Sequence, residues 1–206
     1  MNEHEKVILD LCGGTGAWSK PYKEAGYDVR LISLPDIDVM AYRPPDKVYG
    51  ILAAPPCTQF SFARCHPKSS LRNLKEGIEI VNACLRIIHA CQLKVKSNGQ
   101  RFTSLKFWCI ENPNGFLKYF LGYPAFEFEP YQFGTMWTKK THLWGWFKFP
   151  KKFDLYQKPD CGKFDSLSMG EIRSISDNIW KDVKKRQELR SITPSGFAQA
   201  FFEANR

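Results

Sequence analysis

The chain lacks several things that would place it in a familiar class. None of its apolar runs approaches the roughly 20 residues that a helix needs to cross a bilayer. Its opening stretch, Met1-Asn2-Glu3-His4-Glu5-Lys6, is charged and has no apolar leader core, so no secretory signal is expected. There is no internal repeat and no low-complexity tract. Seven cysteines are present, an odd number, and no two form a Cys-x-x-Cys pair, which argues against both a disulfide framework and a structural zinc site. Cys65-His66 has no second ligand pair near it, so no metal is expected. Four histidines, His4, His66, His89 and His142, show no triad-like spacing and read as surface or structural groups. A cytoplasmic protein with reduced thiols fits these absences. A chain of 206 residues is long enough for one domain with a substantial core.

Charge of one sign is in excess. The net charge of +9 favours a polyanionic partner such as nucleic acid. Basic residues gather late in the chain, at Lys151-Lys152 and Lys184-Lys185-Arg186.

Three segments carry candidate chemistry. Val48-Tyr49-Gly50-Ile51-Leu52-Ala53-Ala54 reads as a buried strand and runs into Pro55-Pro56-Cys57. Each proline fixes φ and removes a backbone donor, so strand pairing stops there and the thiol stands on a stiff loop. In open α/β sheets ligands bind beyond the carboxyl ends of the strands, which makes Cys57 a candidate nucleophile there. Val7-Ile8-Leu9-Asp10-Leu11 leads into Cys12-Gly13-Gly14-Thr15-Gly16 and then Ala17-Trp18-Ser19. This reads as strand, glycine turn and helix, a pattern that lets the backbone approach a ligand closely. Phe107-Trp108-Cys109-Ile110 is a third apolar strand and ends in Glu111-Asn112-Pro113-Asn114-Gly115.

In this order the three segments resemble the DNA cytosine-C5 methyltransferase family. The glycine motif is Asp10-Leu11-Cys12-Gly13-Gly14-Thr15-Gly16, the nucleophile loop is Pro55-Pro56-Cys57-Thr58-Gln59-Phe60-Ser61, and the Glu-Asn pair is Glu111-Asn112. The resemblance spans about residues 6–147, returns at the C-terminus, and is strongest to compact bacteriophage and prophage versions. It implies a Rossmann-like methyltransferase that uses S-adenosylmethionine and flips a cytosine out of duplex DNA, and it leaves open the same chemistry on RNA, single-stranded DNA or a cytidine nucleotide, or a catalytically silent nucleic-acid-binding scaffold. Cys57 would attack C6, Glu111 would act at N3, and Asn112 would hold the Pro55-Pro56-Cys57 loop or Glu111. The cofactor would meet Asp10, Cys12, Gly13, Gly14, Gly16, Ala17, Trp18, Ser33, Asp38 and Pro55. The nucleic acid would meet Gln59, Ser61, Arg64, Lys139, Lys140 and Thr141. The chain departs from the family where Cys12 replaces an aromatic residue and where Pro113 follows Glu-Asn. Thr138-Lys139-Lys140-Thr141 stands in place of a Gln-x-Arg-x-Arg segment. The last helix is entered by Thr193-Pro194-Ser195-Gly196 rather than Gly-Asn. The large target-reading region is reduced to about 150–192.

The predicted fold class is α/β, a mostly parallel sheet with helices on both faces and a small β-hairpin. Strands are predicted near 6–11, 28–34, 48–54 and 105–110, with helices near 17–26 and 70–97. The long helix shows an apolar stripe at Ile78, Val81, Leu85 and Ile88, and Cys84 and Cys91 are expected to face the core. The aromatic stretches Tyr131-Gln132-Phe133-Gly134 and Thr141–Phe147 are expected to form the hairpin. The domain plan is a catalytic core over 1–150, a basic variable region over 151–192, and a helix over 193–206 that packs back on the core, capped by Thr193 or Ser195.

Overall fold

A computed structural model describes residues 6–62, 71–95, 101–135, 137–153, 162–163 and 191–206. The predictions for Arg64, for Cys65-His66 and for most of the 151–192 region lie outside these residues.

The elements follow one another as β1 (Val7–Leu11), α1 (Lys20–Glu24), β2 (Asp28–Ile32), β3 (Gly50–Ala53), α2 (Leu74–Gln92), β4 (Lys94–Val95), β5 (Arg101–Phe102), β6 (Phe107–Pro113), α3 (Lys118–Leu121), β7 (Phe126–Phe128), β8 (Trp137–Thr138), β9 (Thr141–Trp146), β10 (Gly162–Lys163) and α4 (Ser195–Asn205). Six strands form the main sheet in the order β2-β1-β3-β6-β9-β7. The pairs β1·β2, β1·β3 and β3·β6 are parallel, and β9 runs antiparallel to both β6 and β7. The fold is therefore mixed α/β around a mostly parallel sheet. Every residue of β1 and β3 is buried, as expected of strands covered on both faces.

Alternation along the strands divides the interior into two layers. Leu9, Leu11, Ile51, Ala53 and Ile110 point to the side of α2 and pack on Val81, Cys84, Ile87, Ile88 and Cys91. Ile8, Leu52, Phe107 and Cys109 point to the side of α1 and α4 and pack on Trp18, Tyr22, Phe197, Phe201 and Phe202. The core prediction for Cys84 and Cys91 holds, whereas Ile78 and Leu85 are only partly buried and Ile87 takes the central place.

Several local predictions are corrected. Helix α2 is shorter than 70–97. It starts after Asn73, whose side chain accepts the Glu76 amide, and ends where the Leu93 amide meets the His89 carbonyl. Residues 130–133 form a 3₁₀ turn instead of a strand. Pro130 occupies its first position, and Glu129 and Gln132 form a reciprocal capping box around it. Helix α4 is entered through Pro194, with no side-chain cap from Thr193 or Ser195. What fastens α4 is its far end: Asn205 accepts from the Lys148 amide at 2.8 Å and donates to the Lys148 carbonyl at 2.9 Å.

Candidate active site

The strand order reverses at β1. The chain steps outward from β1 to β2 and returns to the other side of β1 at β3. A crevice opens beyond the carboxyl ends of such a pair of strands. The register fixes what lines it. Ile32, Leu11, Ala53 and Ile110 stand in one row across β2, β1, β3 and β6. The next residue on each strand is Ser33, Cys12, Ala54 and Glu111. The glycine turn and the Pro-Pro-Cys loop thus leave the sheet at the level of the Glu-Asn pair.

The glycine turn rests on Asp10. This carboxylate is fully buried, and one oxygen accepts the Ser19 hydroxyl at 2.5 Å. Its other oxygen, Oδ1, has no hydrogen-bond partner. Desolvation pushes the Asp10 pKa up to about 6, with the Ser19 bond opposing. A Cβ on Gly13 would lie 2.1 Å from Asp10 Oδ1, so only glycine fits over the carboxylate. Gly14 and Gly16 have φ of 55° and 70°, the left-handed region that glycine enters at no steric cost. Cys12 also has positive φ, at 58°. Its thiol packs on the α2 side and hydrogen-bonds with Cys84, which holds Cys12 below its ordinary pKa. At Cys12, then, the backbone rather than the thiol belongs to the turn.

A cleft of about 560 Å³ lies between Thr15, Gly16 and Ala17 of the turn, helix α1, and the start of α4 with Ile192, Thr193, Ser195 and Gly196. Sequence reasoning noted Thr193-Pro194-Ser195-Gly196 only as a helix entry. Its role as the opposite wall had no local signal. Leu31 of β2 and Leu34, Ile37 and Met40 after it are exposed. Asp38 is exposed and accepts the Met40 amide at 2.9 Å. The Trp18 assignment is corrected. Its indole is 2% exposed and packs on Phe197 and Phe201 at 5.9 and 5.3 Å, inside the core.

The nucleophile loop is held from below. Asn112 is fully buried and donates through Nδ2 to the Pro55 carbonyl at 2.9 Å. This is the loop-holding role expected of it. Cys57 then opens a single 3₁₀ turn, Cys57–Gln59, whose carbonyl receives the amides of Phe60 and Ser61. Cys57 is a reduced, half-buried thiol. Arg72 donates to the carbonyls of Gln59 and Ser61 at 3.0 and 2.9 Å and closes the loop's far side. Gln59 Oε1 receives the Asn73 amide, and Ser61 is buried and bridged to Gly115. Both residues expected to meet the nucleic acid thus also help to build the loop.

Glu111 and Asn112 lie within β6, not beyond it, because β9 pairs with them as far as Pro113. Burial raises the Glu111 pKa, and the Lys139 ammonium opposes the rise. Lys139 is thus a cation whose charge reaches the candidate acid. Lys140 is ion-paired with Glu127 at 2.8 Å. Thr141 is buried and donates to the Lys139 carbonyl at 2.8 Å, shaping the turn between β8 and β9. The nucleic-acid assignment of Thr141 is corrected accordingly.

The cleft has the volume of a small-molecule site, with Thr15, Gly16 and Ala17 of the glycine turn on one side of it. No family model matches the chain, and no curated protein matches it. Among the described residues no cluster of His, Cys, Asp and Glu could hold a metal ion, and no helix is long and apolar enough to cross a membrane.

Proposed function

We propose that this protein is a Rossmann-like, S-adenosylmethionine-dependent methyltransferase acting on C5 of cytosine in DNA. The observation that carries this reading is the shared row at the sheet edge. It brings the ends of β1, β3 and β6 to one edge of the sheet, with the glycine turn, the thiol-bearing proline loop and a carboxyl whose pKa burial raises on neighbouring strands, and Asn112 ties the last two together.

Bound S-adenosylmethionine supplies an electrophilic methyl group on a sulfonium. The residues of this chain supply the rest. C5 of cytosine is a poor nucleophile until C6 is saturated. The Cys57 thiolate adds to C6 while the Glu111 carboxyl gives its proton to N3, and C5 becomes the nucleophilic carbon of an enamine. Burial raises the Glu111 pKa, which favours the protonated carboxyl that this step needs. After C5 takes the methyl group, loss of the C5 proton to solvent expels Cys57 as thiolate, and N3 returns its proton to Glu111. Asn112 is a positioning residue, since it acts through the Pro55 carbonyl. Asp10 and Ser19 support the turn in the same indirect way, Ser19 through Asp10.

Transfer of labelled methyl to duplex DNA, single-stranded DNA, RNA and dCTP, with Cys57→Ala alongside, tests the reading. The expected result is label on DNA and none with the variant, with S-adenosylmethionine binding retained. Undiminished turnover by Cys57→Ala, or no label on any substrate with the cofactor bound, sinks it.

A further inference from the structure

The two loops that carry Cys57 and Glu111 continue into one surface. Ser61 is bridged to Gly115, and the Phe116 amide donates to the Phe60 carbonyl at 2.8 Å. A Cβ on Gly115 would sit 2.2 Å from that carbonyl, so the glycine is what allows the loops to touch. Just past this contact three aromatic rings follow one another: Phe62 to Phe116 at 5.0 Å, and Phe116 to Tyr119 at 6.2 Å. Cations lie over the same rings. The Arg72 guanidinium is 4.9 Å from the centre of Phe116, and Lys118 Nζ is 5.8 and 5.3 Å from those of Phe62 and Tyr119. Tyr119 is 71% exposed, and its neighbour Tyr123 is 96% exposed.

The core accounts for only part of this row. Phe116 packs partly on the α2-side layer, near the buried ring of Phe60. Phe62, Phe116 and Lys118 are half-buried, and Tyr119 is exposed. Aromatic rings interleaved with lysine and arginine are the chemistry of a surface for unpaired nucleotides. Each base offers a π-face to a ring, and the backbone phosphates meet the cations. A paired base has its faces covered by its neighbours in the stack, so a duplex cannot use such rings without opening. The net charge of +9 has the sign required.

We propose that Phe62, Phe116, Tyr119, Lys118 and Arg72 form a platform for single-stranded DNA next to the target cytosine. This rests on the proposed function for what lies beside the platform, but the binding itself does not depend on any chemistry. Arg72 also holds the Cys57 loop, so the same residue couples an occupied platform to that loop.

The test is fluorescence anisotropy of the full chain, without cofactor, against a labelled single-stranded oligonucleotide, its duplex and an RNA of the same sequence. The expected order is single-stranded DNA tightest. Tyr119→Ala weakens it by about tenfold, the scale of one lost base–ring stack, and Tyr119→Trp restores it. Lys118→Gln lowers the slope of log affinity against log salt by about one phosphate contact. Tyr119 and Lys118 lie on the surface, and unchanged thermal unfolding of their variants verifies an intact fold. Tighter binding of duplex or RNA, or an unchanged affinity in Tyr119→Ala, overturns the proposal. Because no turnover is read, failure of methyl transfer leaves this result standing, and failure here leaves the methyl-transfer assay to be judged alone.

Discussion

The two faces of the sheet are built from different materials. Toward α2 the core is mostly aliphatic, with leucine, isoleucine, valine and two cysteines, joined by the rings of Phe60 and Trp144. Toward α1 and α4 it is aromatic, with Trp18, Tyr22, Tyr27, Phe107, Phe128, Phe133, Phe197, Phe201 and Phe202. Alternation sends the two candidate carboxyls, Asp10 and Glu111, to the aromatic side, and the loop-holding amide, Asn112, to the aliphatic side. The difference separates duties. The aliphatic face pins a strand end to its neighbour's loop. The aromatic face forms the low-polarity surroundings that raise both carboxyl pKa values, and its edge is the wall of the cleft.

The comparison breaks hardest at Phe201. This ring is fully buried and touches Trp18, Phe107, Phe147 and Phe197. Phe201→Ala is expected to cost about 3–5 kcal/mol in urea unfolding, while Ile87→Val on the other face costs about 1 kcal/mol. Equal losses would mean that the two layers do not differ in how tightly they are packed.

Asp10 sharpens it through pH. Its folded pKa of about 6 lies above the ordinary 3.8, so the folded state binds the proton more tightly than the unfolded chain does. The associated stability is complete below pH 3.8 and is lost as pH rises through about 6. The loss amounts to about 3 kcal/mol. Asp10→Asn should remove this slope, so that the difference in unfolding free energy between variant and parent changes between pH 4 and pH 7.5. A constant difference would show that the Asp10 carboxyl ionises normally.

Asn112 tests the aliphatic side with the smallest effect on stability. Asn112→Ala leaves the Pro55 carbonyl without its donor, at a cost of about 1–3 kcal/mol. Methyl transfer should fall much more than the unfolding free energy does, with cofactor affinity little changed. A loss of cofactor affinity matching the loss of turnover would move Asn112 from the loop to the cofactor side.

Much of this arrangement was legible because interior parallel strands announce themselves. Val7–Leu11, broken only by Asp10, and Ile51–Ala53 and Phe107–Ile110 are apolar runs, and the first two end in glycine or proline residues that stop the strand. The holding role of Asn112 came from the family resemblance, which left open whether it held the Pro55-Pro56-Cys57 loop or Glu111; its bond goes to the loop. What stayed hidden depends on distant chain. Glu111 and Asn112 remain in strand because β9 pairs with them from thirty residues downstream. Trp18 turns inward because α4 brings Phe197 and Phe201 to it. Lys140 looked like a phosphate ligand until β7 brought Glu127 beside it. The residues 130–133 read as strand from their aromatics, and a proline with a reciprocal cap overrode that preference locally.

The cleft beside the glycine turn has one wall from residues 15–24 and the other from residues 192–199. During synthesis at about 5–20 residues per second, the first wall emerges many seconds before the second. A nascent chain halted before Ile192 carries a finished glycine turn with no opposite side, and its Trp18 lacks the rings that cover it. The cleft therefore closes late and all at once, when α4 docks, and a chain cut short before α4 would carry only one of its two walls.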